Sequence, residues 1–168
     1  MAVEQRQTGQ LLLHGIVGGV VAGIVFAIAE MLITVALGGP ILAPLALIST
    51  IVLGMQALAP AFPLITAVIV GLVVHVVTSA IFGVIFVYLL ALANQLAAPA
   101  SLLLLYGAIY GLALWIVNFF IIGALFFPQF LMVDQLWQGF VPHVFFYGLP
   151  LAGYVAAVRP GVFGASTR

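Results

Sequence analysis

Residues 64–92 read LITAVIVGLVVHVVTSAIFGVIFVYLLAL, a run with no Asp, Glu, Lys or Arg from end to end. At about 1.5 Å of rise per residue, a helix needs roughly 20 apolar residues to cross the ~30 Å hydrocarbon core of a bilayer, and this stretch is long enough. Runs at 11–38, 102–127 and 136–158 also qualify. Helix-breaking residues separate the four: Gly38, Gly39, Pro40 and Pro44, then Pro60 and Pro63, then Asn94 to Pro99, then Pro128 to Gln135. Composition agrees, since 67% of the 168 residues are hydrophobic, 4% are charged and the mean hydropathy is +1.45. A soluble domain carries about 25% charged residues, so no aqueous surface can be built from this chain. The reading is an all-α integral membrane protein, one membrane domain over 1–168 with four transmembrane helices.

The apolar stretch from Leu45 to Ala59 reaches only about 22 Å as a helix, too short to cross comfortably. It is expected to be a re-entrant or interfacial helix after helix one, with Pro44 near its first turn. Charge supports that count. With four spans both termini share a side, so Arg6, Arg159 and Arg168 are all cytoplasmic while Asp134 lies outside, as the positive-inside rule asks. A fifth span would divide the arginines. Trp137 then suits the outer interface as an aromatic anchor. Arg6, the apolar stretch from Leu11 and the small residues Ala27-Ile28-Ala29 have the outline of a signal peptide. The stretch continues to Leu37, however, beyond the about 7–15 residues of an h-region, so it is expected to be retained as helix one.

Two passages recur. Leu11-Leu12-Leu13-His14-Gly15, with Gly19, Ile24 and Val25, returns as Leu103-Leu104-Leu105-Tyr106-Gly107, with Gly111, Ile116 and Val117, at an offset of 92 residues. Gly71, Val73, His75 and Val76 return as Gly139, Val141, His143 and Val144, at an offset of 68. The difference between the offsets is the length of the segment 39–62. The expectation is therefore two tandem helical hairpins, 11–92 with the insertion 39–62 and 103–158, related by a pseudo-two-fold axis along the membrane normal. His75 and His143 would be symmetry equivalents.

Glu30 is the one charged residue inside an apolar run. Counted from the outer ends of their spans, Glu30, His75, Asn118 and His143 lie about 8, 11, 9 and 7 residues deep, one layer at a helical rise of about 1.5 Å. Facing lipid, each would cost several kcal/mol, so the four are expected to converge inside the bundle. Gly71, His75, Ser79 and Gly83 form a small-residue stripe along helix two, and Gly15, Gly19 and Gly23 form one along helix one, with Gly107 and Gly111 on helix three. Tyr147 follows His143 by one turn, and Pro150 withholds an amide from the carbonyl of Phe146, which predicts a kink. His14, matched by Tyr106 in the repeat, is expected to be interfacial.

Three functions compete for this layer. In the first, the polar groups bond one another and stabilise a cofactor-free bundle that serves as an accessory or assembly subunit of a larger membrane complex. In the second, His75 and His143 ligate haem b or a divalent metal, with Glu30 as a further ligand and Asn118, Ser79 and Tyr147 as buried polar support. In the third, the layer is the site of a small proton-linked transporter in which Glu30 titrates against a histidine. The expected partners are the lipid bilayer and other membrane helices, in a homo-oligomer or a larger complex. A net charge of zero with no Lys leaves nothing to neutralise phosphates, which excludes nucleic-acid binding. The chain has no Cys, and no arrangement of the usual hydrolase or nucleotide-binding type, so soluble-enzyme chemistry is not expected.

Overall fold

Glycine and proline divide the chain as their backbone preferences require. A computed structural model describes the backbone of residues 2–132 and 137–162 and the side chains of 8–131 and 137–159; Asp134 and the side chains of Glu4, Arg6 and Arg168 lie outside these. Helix one, Ala2–Ala36, ends where Gly38 turns to φ 83°, with the Gly39 amide donating to the carbonyl of Thr34. This is a glycine-terminated Schellman end. A short helix, Ala43–Leu53, carries Pro44 in its first turn and stops at Gly54, φ 73°, followed by a 3-10 turn at Met55–Leu58. Gly54 was not counted as a break in the sequence reading; it shortens the expected 45–59 helix to 11 residues, about 16 Å long.

Helix two is Leu64–Leu92, entered through Pro63. It turns through Asn94, which takes a left-handed conformation (φ 55°) that a short amide side chain tolerates. Helix three spans Ala100–Phe126 and helix four Trp137–Arg159, the latter continuing to Val162. Both contain π-helical segments, Val117–Gly123 and Pro142–Gly148, in which the backbone is wound one residue per turn wider than in an α-helix. Leu149 accordingly donates to the carbonyl of Val144, five residues back. All regular structure among the described residues is helical, and four helices are long and apolar enough to cross a membrane.

Helix one packs along helix two, helix three packs along helix four, and helix one also touches helix four. The short helix lies on helix two. These contacts are close because glycine permits them. A Cβ on Gly15 would come within 2.6 Å of the Cα of Val84, and one on Gly83 would reach the carbonyl of Gly15 and come within 2.5 Å of the Cα of Gly19. Across the other pair, Gly148 meets the carbonyl of Gly107 and the Cα of Gly111. Gly71, at the far end of the helix-two stripe, meets the carbonyl of Leu45 in the short helix instead of helix one. Helices two and three do not pack lengthwise on each other; Tyr110 bridges them by donating to the carbonyl of Phe82 at 2.7 Å. Outward faces remain apolar and uncovered, as with Leu32 (62% exposed) and Ile65 (66%), which is the surface of a multi-pass protein solvated by lipid.

Candidate functional site

The polar residues singled out in the sequence all border one cavity. It measures about 600 Å³, and Glu30, His75, Ser79, Asn118, His143 and Tyr147 line it. Apart from Thr34, Thr78 and Gln138, its remaining walls are apolar and aromatic, supplied by the short helix and all four spanning helices, with Phe26, Phe82, Phe119, Phe127 and Phe130 among them. A cavity of this size falls in the range of about 300–1,000 Å³ that small-molecule sites occupy.

His75 is buried, and its Nε2 lies 2.8 Å from the carbonyl oxygen of Gly23. A carbonyl only accepts, so Nε2 carries the proton and Nδ1 is the free acceptor. Glycine at position 23 makes room for Ser79, whose Cβ a methyl there would meet at 2.6 Å, while His75 Nε2 at 3.6 Å would be in ordinary contact. His143 has the opposite tautomer, for Nδ1 donates to the carbonyl of Gly139 at 2.7 Å and Nε2 faces Asn118 Nδ2 at 3.4 Å. The Asn118 contact is long for an N–H···N bond. Tyr147 donates its hydroxyl proton to the carbonyl of Ser79 at 2.6 Å and so ties helix four to helix two.

Each imidazole and the tyrosine therefore satisfies one donor on backbone, and the Asn118–His143 contact is the side-chain-to-side-chain hydrogen bond among the described members of the layer. Glu30 differs from all of them. Its backbone carbonyl accepts from Thr34 Oγ1 at 2.8 Å, but no group among the described residues hydrogen-bonds or ion-pairs with its carboxyl. Glu30 lines the cavity together with His75, Thr34, Asn118 and several aromatic rings.

The geometry bears on metal chemistry too. Phe26 contacts both imidazoles, its ring centroid 5.5 Å from that of His75 and 4.9 Å, edge-on, from that of His143. A pair of axial ligands needs two free nitrogens aimed at one ion with nothing between. Here His75 Nε2 donates to Gly23 and His143 Nδ1 to Gly139, which leaves His75 Nδ1 and His143 Nε2 as the nitrogens outside carbonyl bonds, with the Phe26 ring against both imidazoles. Among the described residues, no group of three or more His, Asp or Glu side chains is arranged to hold a metal ion. The residues expected to bind haem or metal thus share one cavity.

Several contributors were absent from the sequence reading. Phe26 was hidden because an aromatic residue in an apolar helix is unremarkable. The two π-helical segments, which carry Asn118, Phe119, His143 and Tyr147, have no sequence signature beyond Pro142 at the start of the second. Gln129 donates to Thr50 Oγ1 at 2.9 Å and links the segment after helix three to the short helix beside the cavity. His14, expected at an interface, pairs with Tyr154 of helix four, Nδ1 to hydroxyl 2.8 Å. Compared with protein-family models, with curated proteins and with solved structures, the chain matches none of them.

Proposed function

We propose that this protein binds a lipophilic small molecule inside the bilayer and acts as a membrane binding protein or carrier for it. The observation that carries the reading is the cavity itself: apolar walls on five helical segments enclosing one carboxyl that no described protein group satisfies. A bundle evolved only for mutual support has no use for such a group, because an unsatisfied polar atom in hydrocarbon costs several kcal/mol. A ligand that supplies the missing hydrogen-bond or charge partner removes that cost. The accessory-subunit and metal readings lack a comparable feature: the outward apolar faces are as well served by lipid as by partner helices, and among the described residues no group of three or more His, Asp or Glu side chains is placed to hold an ion.

In this reading the ligand arrives from the membrane between helices two and three, which do not pack lengthwise on each other. The short helix is a re-entrant wall of the cavity on the outer side, and both termini face the cytoplasm with Arg6, Arg159 and Arg168. The two hairpins are copies, but in a register set by their glycine contacts. Gly148 stands to Gly107 and Gly111 as Gly83 stands to Gly15 and Gly19, an offset of 65 residues. One turn earlier the carbonyl of His143 meets Gly111 as that of Ser79 meets Gly19, an offset of 64, the missing residue being taken up by the π-helical turn. His143 then corresponds to Ser79, and His75 has no histidine counterpart, in place of the offset of 68 that the sequence suggests.

The test is photolabelling of the protein in liposomes with a neutral alkyl diazirine, followed by peptide mapping. Label concentrated on Phe26, Asn118 and Phe130 is expected. Label confined to outward residues such as Leu32 and Ile65 would refute the reading.

A further inference from the structure

The cavity also carries information about the charge of its ligand. The arginines are at 6, 159 and 168. Along helix one, position 6 is about 36 Å from Glu30, and along helix four Arg159 is about 24 Å beyond His143. No cation among the described residues is placed to neutralise Glu30. Of the groups that line the cavity with it, each imidazole places one N–H on a backbone carbonyl, the hydroxyls of Thr34, Thr78 and Tyr147 donate to the carbonyls of Glu30, Val74 and Ser79, and the remaining polar groups, Ser79, Asn118 and Gln138, carry no formal charge. That leaves lone pairs, chiefly His143 Nε2, turned toward a space walled by aromatic rings. Ring faces attract cations, and attract them more strongly where water is excluded.

We infer that the ligand is a lipophilic organic cation, and that it binds Glu30 in exchange for one proton. The inference rests on the proposed binding function and adds the substrate class and the coupling. An isolated carboxylate in this cavity is neutralised either by a proton or by a bound cation, and the cavity has no second charge to change the count. When the cation enters, the carboxyl O–H bond breaks, the proton leaves to the aqueous phase and the carboxylate pairs with the cation, so charge inside the cavity is conserved. An exchange of that kind links movement of the cation to a proton gradient.

The experiment uses the whole purified protein in mild detergent, titrated with tetraphenylphosphonium in weak buffer while heat and released protons are recorded, with tetraphenylborate as the anion of matching shape. Wild-type protein is expected to bind the cation saturably with release of about one proton per cation, and to reject the borate. Glu30→Gln is expected to lose cation affinity at least tenfold and to release no proton, while Glu30→Asp, which keeps the charge, retains both. Absence of cation binding, equal binding of cation and anion, or a Glu30→Gln protein that binds as wild type would each overturn the inference. If diazirine labelling still maps to the cavity in that case, the binding reading survives without charge selection; if it does not, both fall.

Discussion

Replacing Gly83 by Ala tests how the two halves of the cavity wall are held together. A Cβ at this position would stand 2.5 Å from the Cα and 2.7 Å from the backbone nitrogen of Gly19, and closer still to the carbonyl of Gly15. Carbon atoms rest at about 3.5–4.0 Å, so helices one and two must separate by roughly 1 Å. Overpacking of this kind costs about 1–3 kcal/mol, against which Ala regains up to about 1 kcal/mol of helix propensity. A net loss of about 1–2 kcal/mol is expected. The same movement draws the Gly23 carbonyl away from His75 Nε2, which donates to it at 2.8 Å. The assay is reversible unfolding by sodium dodecyl sulfate in bicelles, followed by circular dichroism, with Gly153→Ala as the control because a Cβ there meets nothing within 4 Å. Gly153→Ala should be neutral or slightly stabilising. Equal midpoints for the two variants would refute the close-packing argument.

Other consequences are as direct. Tyr147→Phe removes the hydroxyl that donates to the carbonyl of Ser79 and should destabilise the bundle by about 1 kcal/mol in the same assay; no change would mean that this cross-bundle tie is not a stabilising contact. Because the chain has no native Cys, Ala61→Cys and Ala97→Cys give clean reporters on the two sides of the membrane. An impermeant maleimide applied outside intact cells should label position 61 and spare 97, and the reverse pattern would invert the orientation. Purified protein should show no Soret band and no stoichiometric metal; a band or metal lost in both His75→Ala and His143→Ala would restore a haem or metal site.

The four spanning helices were legible because bilayer thickness imposes a length and a composition that few other structures need. Glu30, His75, Asn118 and His143 were legible for a related reason, since polar groups in hydrocarbon must turn inward, and counting residues from the helix ends puts them in one layer. The stripes Gly15-Gly19-Gly23 and Gly71-His75-Ser79-Gly83 told which faces come close, though Gly71 serves the short helix. What residue counting could not reach was anything that depends on departures from regular winding. The segments Val117–Gly123 and Pro142–Gly148 each rotate the chain beyond them relative to an α-helix, and the 68-residue alignment of His75 with His143 assumes no such turn. Hydrogen-bond direction was equally hidden: that Gly23 and Gly139 accept from the two imidazoles, leaving Glu30 alone, follows from helix–helix geometry and not from spacing.

The claim that the polar-lined cavity is a ligand site is tested most directly by closing it. Thr78 borders the cavity and its hydroxyl bonds only to carbonyls of its own helix, so Thr78→Trp adds bulk to the space without removing a link between helices. Wild type and this variant, matched for unfolding midpoint, are photolabelled with the neutral alkyl diazirine in liposomes. The expected result is that label on Phe26, Asn118 and Phe130 disappears in Thr78→Trp while label on Leu32 and Ile65 is unchanged. Identical labelling of the cavity residues in both proteins would contradict the account.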